Sequence, residues 1–166
     1  ANAAWLVELA RQYRVNPTDY ESLLTRVDLV PPSLAIAQGA IESGWGTSRF
    51  AITGNALFGQ RTFDPDRAGF RPKDAEDANF KVRRFESLMG SIWGYMITLN
   101  THTAHTDFRQ LRARMREQGD AIDSIALAST LTRYSEEGER YVNLVQNVIT
   151  TNNLRRLDDL QLATPP

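Results

Sequence analysis

The sequence predicts a mainly α, α+β fold: a buried central helix with a small irregular, β-containing lobe. Three observations carry that expectation. Apolar residues recur at three- and four-residue spacing along most of the chain, as on one face of a helix. The segment opened by Pro31-Pro32-Ser33 places Leu34, Ile36, Ala37, Ala40 and Ile41 on too many sides for a surface helix. Residues 58–86 then break the helical pattern with Gly59, Pro65, Gly69 and Pro72 among clustered acids.

Taken in order, Trp5, Leu6, Leu9, Ala10 and Tyr13 mark a first amphipathic helix, with Trp5 at a core spacing. Thr18-Asp19-Tyr20-Glu21 has the form of a capping box, Thr18 capping a short helix through Leu23 and Leu24. The third helix starts at the proline pair, which suits a first turn, and ends at Gly44, which adopts the left-handed cap conformation cheaply. Within the irregular lobe, Phe80–Phe85 has an imperfect strand alternation. Helix resumes from Ser87 to about Asn100, with Trp93 at a packing position. Three more helices follow over Thr106–Gln118, Asp120–Ala128 and Glu136–Thr151, the last with Tyr141, Leu144, Val145, Val148 and Ile149 on one face. The expected organisation is one domain over 1–152, with the lobe inserted at about 58–86 and a loosely packed tail over 153–166. Two lobes about a buried helix imply a cleft.

Composition removes several function classes. The 166 residues suffice for one compact domain, and no apolar run is long enough to span a membrane. Lys and Arg number 19 against 20 Asp and Glu, a net charge of −1, which gives no basic excess for nucleic acid. The local cluster Arg109, Arg112, Arg114 and Arg116 reads as a solvated helix face. With no cysteine, thiol catalysis, disulfides and sulfur-ligated zinc are all excluded. His102 and His105 lack a third ligand and sit in a helix–helix loop, so no metal site is expected. No nucleophile elbow accompanies Ser43 or Ser48, and no phosphate-cradling glycine loop occurs, so no cofactor is expected.

The chemistry concentrates in Ala40-Ile41-Glu42-Ser43-Gly44-Trp45-Gly46. A carboxylate in the last turn of an apolar helix faces the negative end of the helix dipole, and burial against Ile41 and Trp45 penalises its charged form further. Asp74, Glu76 and Asp77 add repulsion if they face the same cleft. All three effects raise the pKa, and a carboxylic acid kept protonated near neutrality can donate a proton to a leaving oxygen. A helix built only for stability would carry Lys or Arg there. Trp45, beside this acid, is expected to line the cleft.

Glu42-Ser43-Gly44-Trp45-Gly46 with Ser48, then Gly54-Asn55 and Phe58-Gly59-Gln60, resembles the glucosaminidase family of peptidoglycan hydrolases (glycoside hydrolase family 73), which includes autolysins. Phe85-Glu86-Ser87-Leu88 with Ser91, and Tyr134 with the Tyr141-Val142 helix, resemble later motifs of that family in the right order, over roughly residues 18–150. The nearest likeness is to the Bax-type branch of Gram-negative bacteria. The resemblance implies a lysozyme-like fold and cleavage of the β-1,4 bond after N-acetylglucosamine in peptidoglycan. It implies Glu42 as general acid. Asn55, Phe58 and Gln60 would shape the substrate-binding wall beside Trp45, and Tyr134 would face the acid and the reacting sugar. Family members carry a second acid on the small lobe. Glu76, 34 residues after Glu42, fits that place, and Asp74 and Asp77 fit nearly as well. Asp74 stands where the family often has threonine.

Inverting, retaining and substrate-assisted routes stay open at this point, since carboxylate separations of about 5 Å and roughly 6.5–9.5 Å mark retention and inversion. Alternatives on the same fold are a lytic transglycosylase or muramidase, and a peptidoglycan-binding domain without turnover. The substrate implies an exported protein of the periplasm or cell envelope, acting as a monomer.

Overall fold

The computed structural model of the chain describes residues 2–71 and 79–160. Among them are eight α-helices: α1 (Asn2–Gln12), α2 (Tyr20–Arg26), α3 (Pro32–Ser43), α4 (Arg49–Gly54), α5 (Leu88–Thr101), α6 (Thr106–Gln118), α7 (Ser124–Ala128) and α8 (Glu139–Thr151). Strands β1 (Arg61–Thr62), β2 (Gly69–Phe70) and β3 (Lys81–Arg83) form an antiparallel sheet of order β1-β3-β2. Two 3-10 turns occur at Thr103–His105 and Leu154–Leu157. The mainly α fold with a small β-containing lobe is therefore as the sequence predicts. The short helix α4 is an addition, too brief to leave a periodic signal.

The chain divides into two compact units, residues 38–96 and residues 1–37 with 97–166. The larger unit packs Ala10, Leu34, Leu99, Phe108, Leu127, Leu131, Val145 and Ile149 out of solvent. On α8 the buried residues Tyr141, Val142, Val145 and Ile149 keep the helical spacing read from the sequence. The N-cap of α2 is Asp19, whose carboxylate accepts from Ser22 N, while Thr18 bonds to Asn16 Oδ1 instead. The expected capping box thus starts one residue later than its pattern suggests, because aspartate caps at least as well as threonine.

Two expectations about this unit are overturned. The arginines of α6 are not all on a solvated face: Arg114 and Arg116 are exposed, but Arg109 and Arg112 are buried, Arg112 completely. Arg112 donates to the carbonyls of Thr25 (3.0 Å) and Leu29 (2.6 Å) and to Asn100 Oδ1 (2.8 Å), with Asp28 Oδ2 at 3.5 Å from its Nε. Arg109 donates to the carbonyls of Leu99 and His102, each at 2.9 Å. The carbonyls that end α2 and α5 have no helical partner, and a planar guanidinium fork satisfies several at once. The tail is not loose from residue 153 either. Asp158 reaches back to the first turn of α3, its Oδ1 accepting from Ser33 N (2.8 Å) and its Oδ2 from Ser33 Oγ (2.7 Å).

Helix α3 is less enclosed than predicted. Ser33, Leu34, Ala37 and Gln38 are buried, but Ile36 is 45% exposed. Small residues dominate the rest, so the helix lies close to its neighbours on one face without being wrapped on all sides.

The smaller unit carries the sheet. Arg61 pairs with Val82 and Phe70 with Val82 from the other side, which makes β3 the central strand. Beneath it Ala56, Val82 and Phe85 form a small apolar cluster joined by Phe50.

Candidate functional site

Glu42 is the penultimate residue of α3, whose last turn holds no basic residue. The loop after it is tightly tied. Gly44, Trp45 and Gly46 all have positive φ, at 57°, 57° and 78°. For Trp45 this is strained backbone, costing about 1–2 kcal/mol relative to a right-handed residue. The strain is held by named bonds. Trp45 N donates to Ala40 O at 2.7 Å, Ser48 N to Ser43 O at 2.9 Å, and Gly46 N to Ser43 Oγ at 2.8 Å. Ser43 Oγ in turn donates to Gly39 O. Ser48 then caps α4 by accepting from Ala51 N. The serines next to the acid are accordingly turn-builders, as the absence of a nucleophile motif suggests. Trp45 itself is 66% exposed, so it does not wall Glu42 off from water by burial.

The second motif closes on the first. Asn55 ends α4 in the left-handed conformation, φ 52°, and its Nδ2 donates to Phe85 O at 3.1 Å. Gly54 precedes it because a Cβ there would collide with the Phe70 ring. Gly59, at φ +58°, brings its Cα side against the acid: a Cβ on it would lie 3.6 Å from Glu42 Oε2. Glycine therefore supplies the left-handed backbone at a point where a side chain would touch the carboxylate.

Phe58 is only 5% exposed and its ring stacks on Tyr95, centroids 4.0 Å apart and planes 9° apart. Tyr95 OH donates to Gln38 Oε1 at 2.7 Å, one turn before Glu42. The aromatic pair packs under the C-terminal half of α3, and burial leaves the Phe58 ring little exposed surface. Gln60 is likewise engaged in the fold, Nε2 donating to Ser91 O (3.1 Å) and Oε1 accepting from Ser91 Oγ (3.3 Å). Ser91 Oγ also accepts from Leu57 N, so one buried serine of α5 fixes both ends of the Leu57–Gln60 stretch. Ser91 was legible in the sequence only as part of a family motif. Its buried position is what explains it.

In the larger unit, Tyr134 is half-buried in a ring stack. Its ring lies 5.4 Å and 9° from Tyr141, and 5.8 Å from His105. His105 is buried and its Nδ1 has no hydrogen-bond partner; desolvation, with the nearby His102 and Arg109 charges, lowers its pKa to about 4. His102 and His105 bracket a 3-10 turn, His102 Nδ1 accepting from Ala104 N, which is the loop role their sequence context predicts. Trp5 and Trp93, expected in the core, are 67% and 47% exposed. The candidate second acids Asp74, Glu76 and Asp77 lie outside the described residues. Among the described residues no group of His, Cys, Asp and Glu could hold a metal ion, and no helix is long and apolar enough to cross a membrane.

Comparison with known proteins bears on this arrangement directly. Residues 7–154 match the family described as Glucosaminidase, mannosyl-glycoprotein endo-beta-N-acetylglucosaminidase. The chain is 33% identical over 149 residues to Protein bax of Escherichia coli (strain K12), covering 86% of the chain and 53% of that protein. It therefore spans about half the length of the curated relative it matches. The fold is similar to the catalytic domain of the autolysin Auto from Listeria monocytogenes, with a TM-score of 0.54 at 18% identity, over 94% of this chain and 82% of that one. With the match running through α3, its left-handed turn, the small sheet and the ring stack at Tyr134, this chain belongs to the glucosaminidase family of glycoside hydrolases.

Proposed function

We propose that the protein is a peptidoglycan hydrolase, an endo-β-N-acetylglucosaminidase that cleaves the β-1,4 bond between N-acetylglucosamine and N-acetylmuramic acid. Glu42 is its general acid. The observation that carries this reading is the coupling of two sequence motifs around one carboxylate: Gly59 stands next to Glu42, where an added Cβ would touch Oε2 at 3.6 Å, and a tied left-handed turn follows the acid at once. A proton donor must keep its orientation while the leaving oxygen approaches, and a carboxylic acid on a rigid helix end meets that need.

Trp45 offers an exposed indole face next to the acid for a pyranose ring, an apolar surface that sugar C–H groups match. Asn55, Phe58 and Gln60 hold the floor on which the reacting sugar rests. Tyr134, kept in place by its stack on Tyr141, is proposed to bind sugar, and Glu76 to supply the second carboxylate. With no cofactor involved, the reaction needs only proton transfer and water, or the substrate's own 2-acetamido oxygen as the nucleophile. Peptidoglycan lies outside the cytoplasmic membrane, so the working protein is exported, to the periplasm or cell envelope.

The test is mass spectrometry of borohydride-reduced products from purified sacculi, wild type beside Glu42→Gln. Reduced N-acetylglucosamine ends from wild type alone are the expected result. Reduced N-acetylmuramic acid ends would reassign the protein as a muramidase, and 1,6-anhydro ends as a lytic transglycosylase. No new ends from either protein would overturn the hydrolase reading.

A further inference from the structure

The smaller unit contains a cavity of about 600 Å³, and Glu42 is not among the described residues that line it. That volume is within the roughly 300–1,000 Å³ typical of small-ligand sites. Its charge is one-sided. Arg67, Arg83 and Arg84 line it against a single acid, Glu86. Among the described residues no carboxylate forms an ion pair with any of the three arginines. Burial lowers the Arg83 pKa, and the Arg67 charge lowers it further. The Arg83 guanidinium is also held in orientation, 4.4 Å over the Phe85 ring. Trp93, 47% exposed on α5, gives the same cavity an apolar wall.

Neighbouring cations of this kind are costly to a fold that gains nothing from them. A planar, pre-oriented guanidinium with a second one near it suits a carboxylate, which it can bind through two parallel hydrogen bonds. We propose that this cavity binds a free carboxylate of the peptide stem carried by the substrate strand. Arg83 and Arg67 are its anion ligands, and Trp93 packs on the aliphatic part of the stem. This rests on the peptidoglycan reading above and extends it from the glycan to the peptide. The consequence is selectivity: strands with intact, charged stems are held and cut in preference to strands whose stem carboxylates are masked.

The experiment uses the full chain carrying Glu42→Gln, so that ligand survives, and titrates two soluble probes by calorimetry. One is a disaccharide tetrapeptide from peptidoglycan. The other is the same molecule with its stem carboxylates converted to amides. One charge-assisted pair is worth enough to separate them by roughly tenfold in Kd. Adding Arg83→Gln or Arg67→Gln should erase the difference, and Arg83→Lys should keep part of it. Arg67 is exposed, so its variant remains informative if Arg83→Gln fails to fold. Equal binding of the two probes, or a preference that survives both arginine substitutions, overturns the proposal. Tighter binding of inorganic phosphate than of the tetrapeptide would also overturn it, in favour of a phosphate-bearing polymer. The titration needs no turnover, so absence of hydrolysis by the wild-type protein would sink the function above without deciding this site.

Discussion

At Trp45 a bulky aromatic side chain occupies left-handed backbone, with two-thirds of its surface in solvent. Neither local conformation nor burial gives the fold a reason to keep it. A residue kept for packing would be destabilising to remove, whereas one kept for substrate would not. Trp45→Gly is therefore expected to leave the unfolding free energy unchanged or raised by up to about 1 kcal/mol, since glycine relieves the positive φ. The same variant should lose at least tenfold in kcat/KM on sacculi, read by turbidity clearing beside urea melts. Gly59 makes the opposite case. Gly59→Ala must place an L side chain at φ +58°, at a cost of about 1–2 kcal/mol, and sets a methyl group 3.6 Å from Glu42 Oε2. Lower stability together with lower kcat is expected there. An unaltered kcat would remove Gly59 from the acid's surroundings.

The elements show why a charged helix surface is a poor guide to its surroundings. Helix α6 carries Arg109 and Arg112 inward, where the carbonyls that end α2 and α5 need donors. Arg112→Met would leave the Thr25 and Leu29 carbonyls and Asn100 without their donor, while Asp28 keeps Arg116 at 2.9 Å. Each buried acceptor left unsatisfied costs about 1–3 kcal/mol, measurable as a lowered urea midpoint. Just before α6, His105 links stability to pH. Its folded pKa of about 4 lies below the ordinary value of 6.5, so the unfolded chain takes up a proton first as the pH falls. The neutral ring's contribution is whole above pH 6.5 and is lost as the pH drops towards 4, by up to about 3 kcal/mol. Unfolding free energies at pH 7 and 4.5 should therefore converge in His105→Phe relative to wild type. Parallel slopes in the two proteins would refute the link.

At the scale of the whole chain, the 3-10 turn Leu154–Leu157 leads Asp158 back to the start of α3. Asp158 accepts two hydrogen bonds from Ser33, 125 residues away. It acts as an N-terminal cap supplied from the far end of the sequence, and a carboxylate there also complements the helix dipole. Asp158→Ala is expected to cost about 1–2 kcal/mol, and truncation after Asn152 at least as much, by thermal unfolding. If truncation proved neutral, the tail would be the loose appendage that its composition suggests.

Much of this was open to inspection in the sequence. Helix spacing, the proline start and glycine stop of α3, and the weak alternation over Phe80–Phe85 each follow from local backbone rules, which act within a few residues. Glu42-Ser43-Gly44-Trp45-Gly46 and Gly54-Asn55 were legible for the same reason, since their turn geometry is a local demand on residue type. What the tertiary structure alone decided concerns long-range partners. It gave Phe58 and Gln60 their partners, Tyr95 and Ser91, and it placed Trp93 on a cavity instead of in the core. It also buried Arg109 and Arg112 of α6 and closed the tail onto Ser33. A residue's type states what it can bond with, but which partner arrives depends on chain segments tens of residues away, brought close only by the packing of the core.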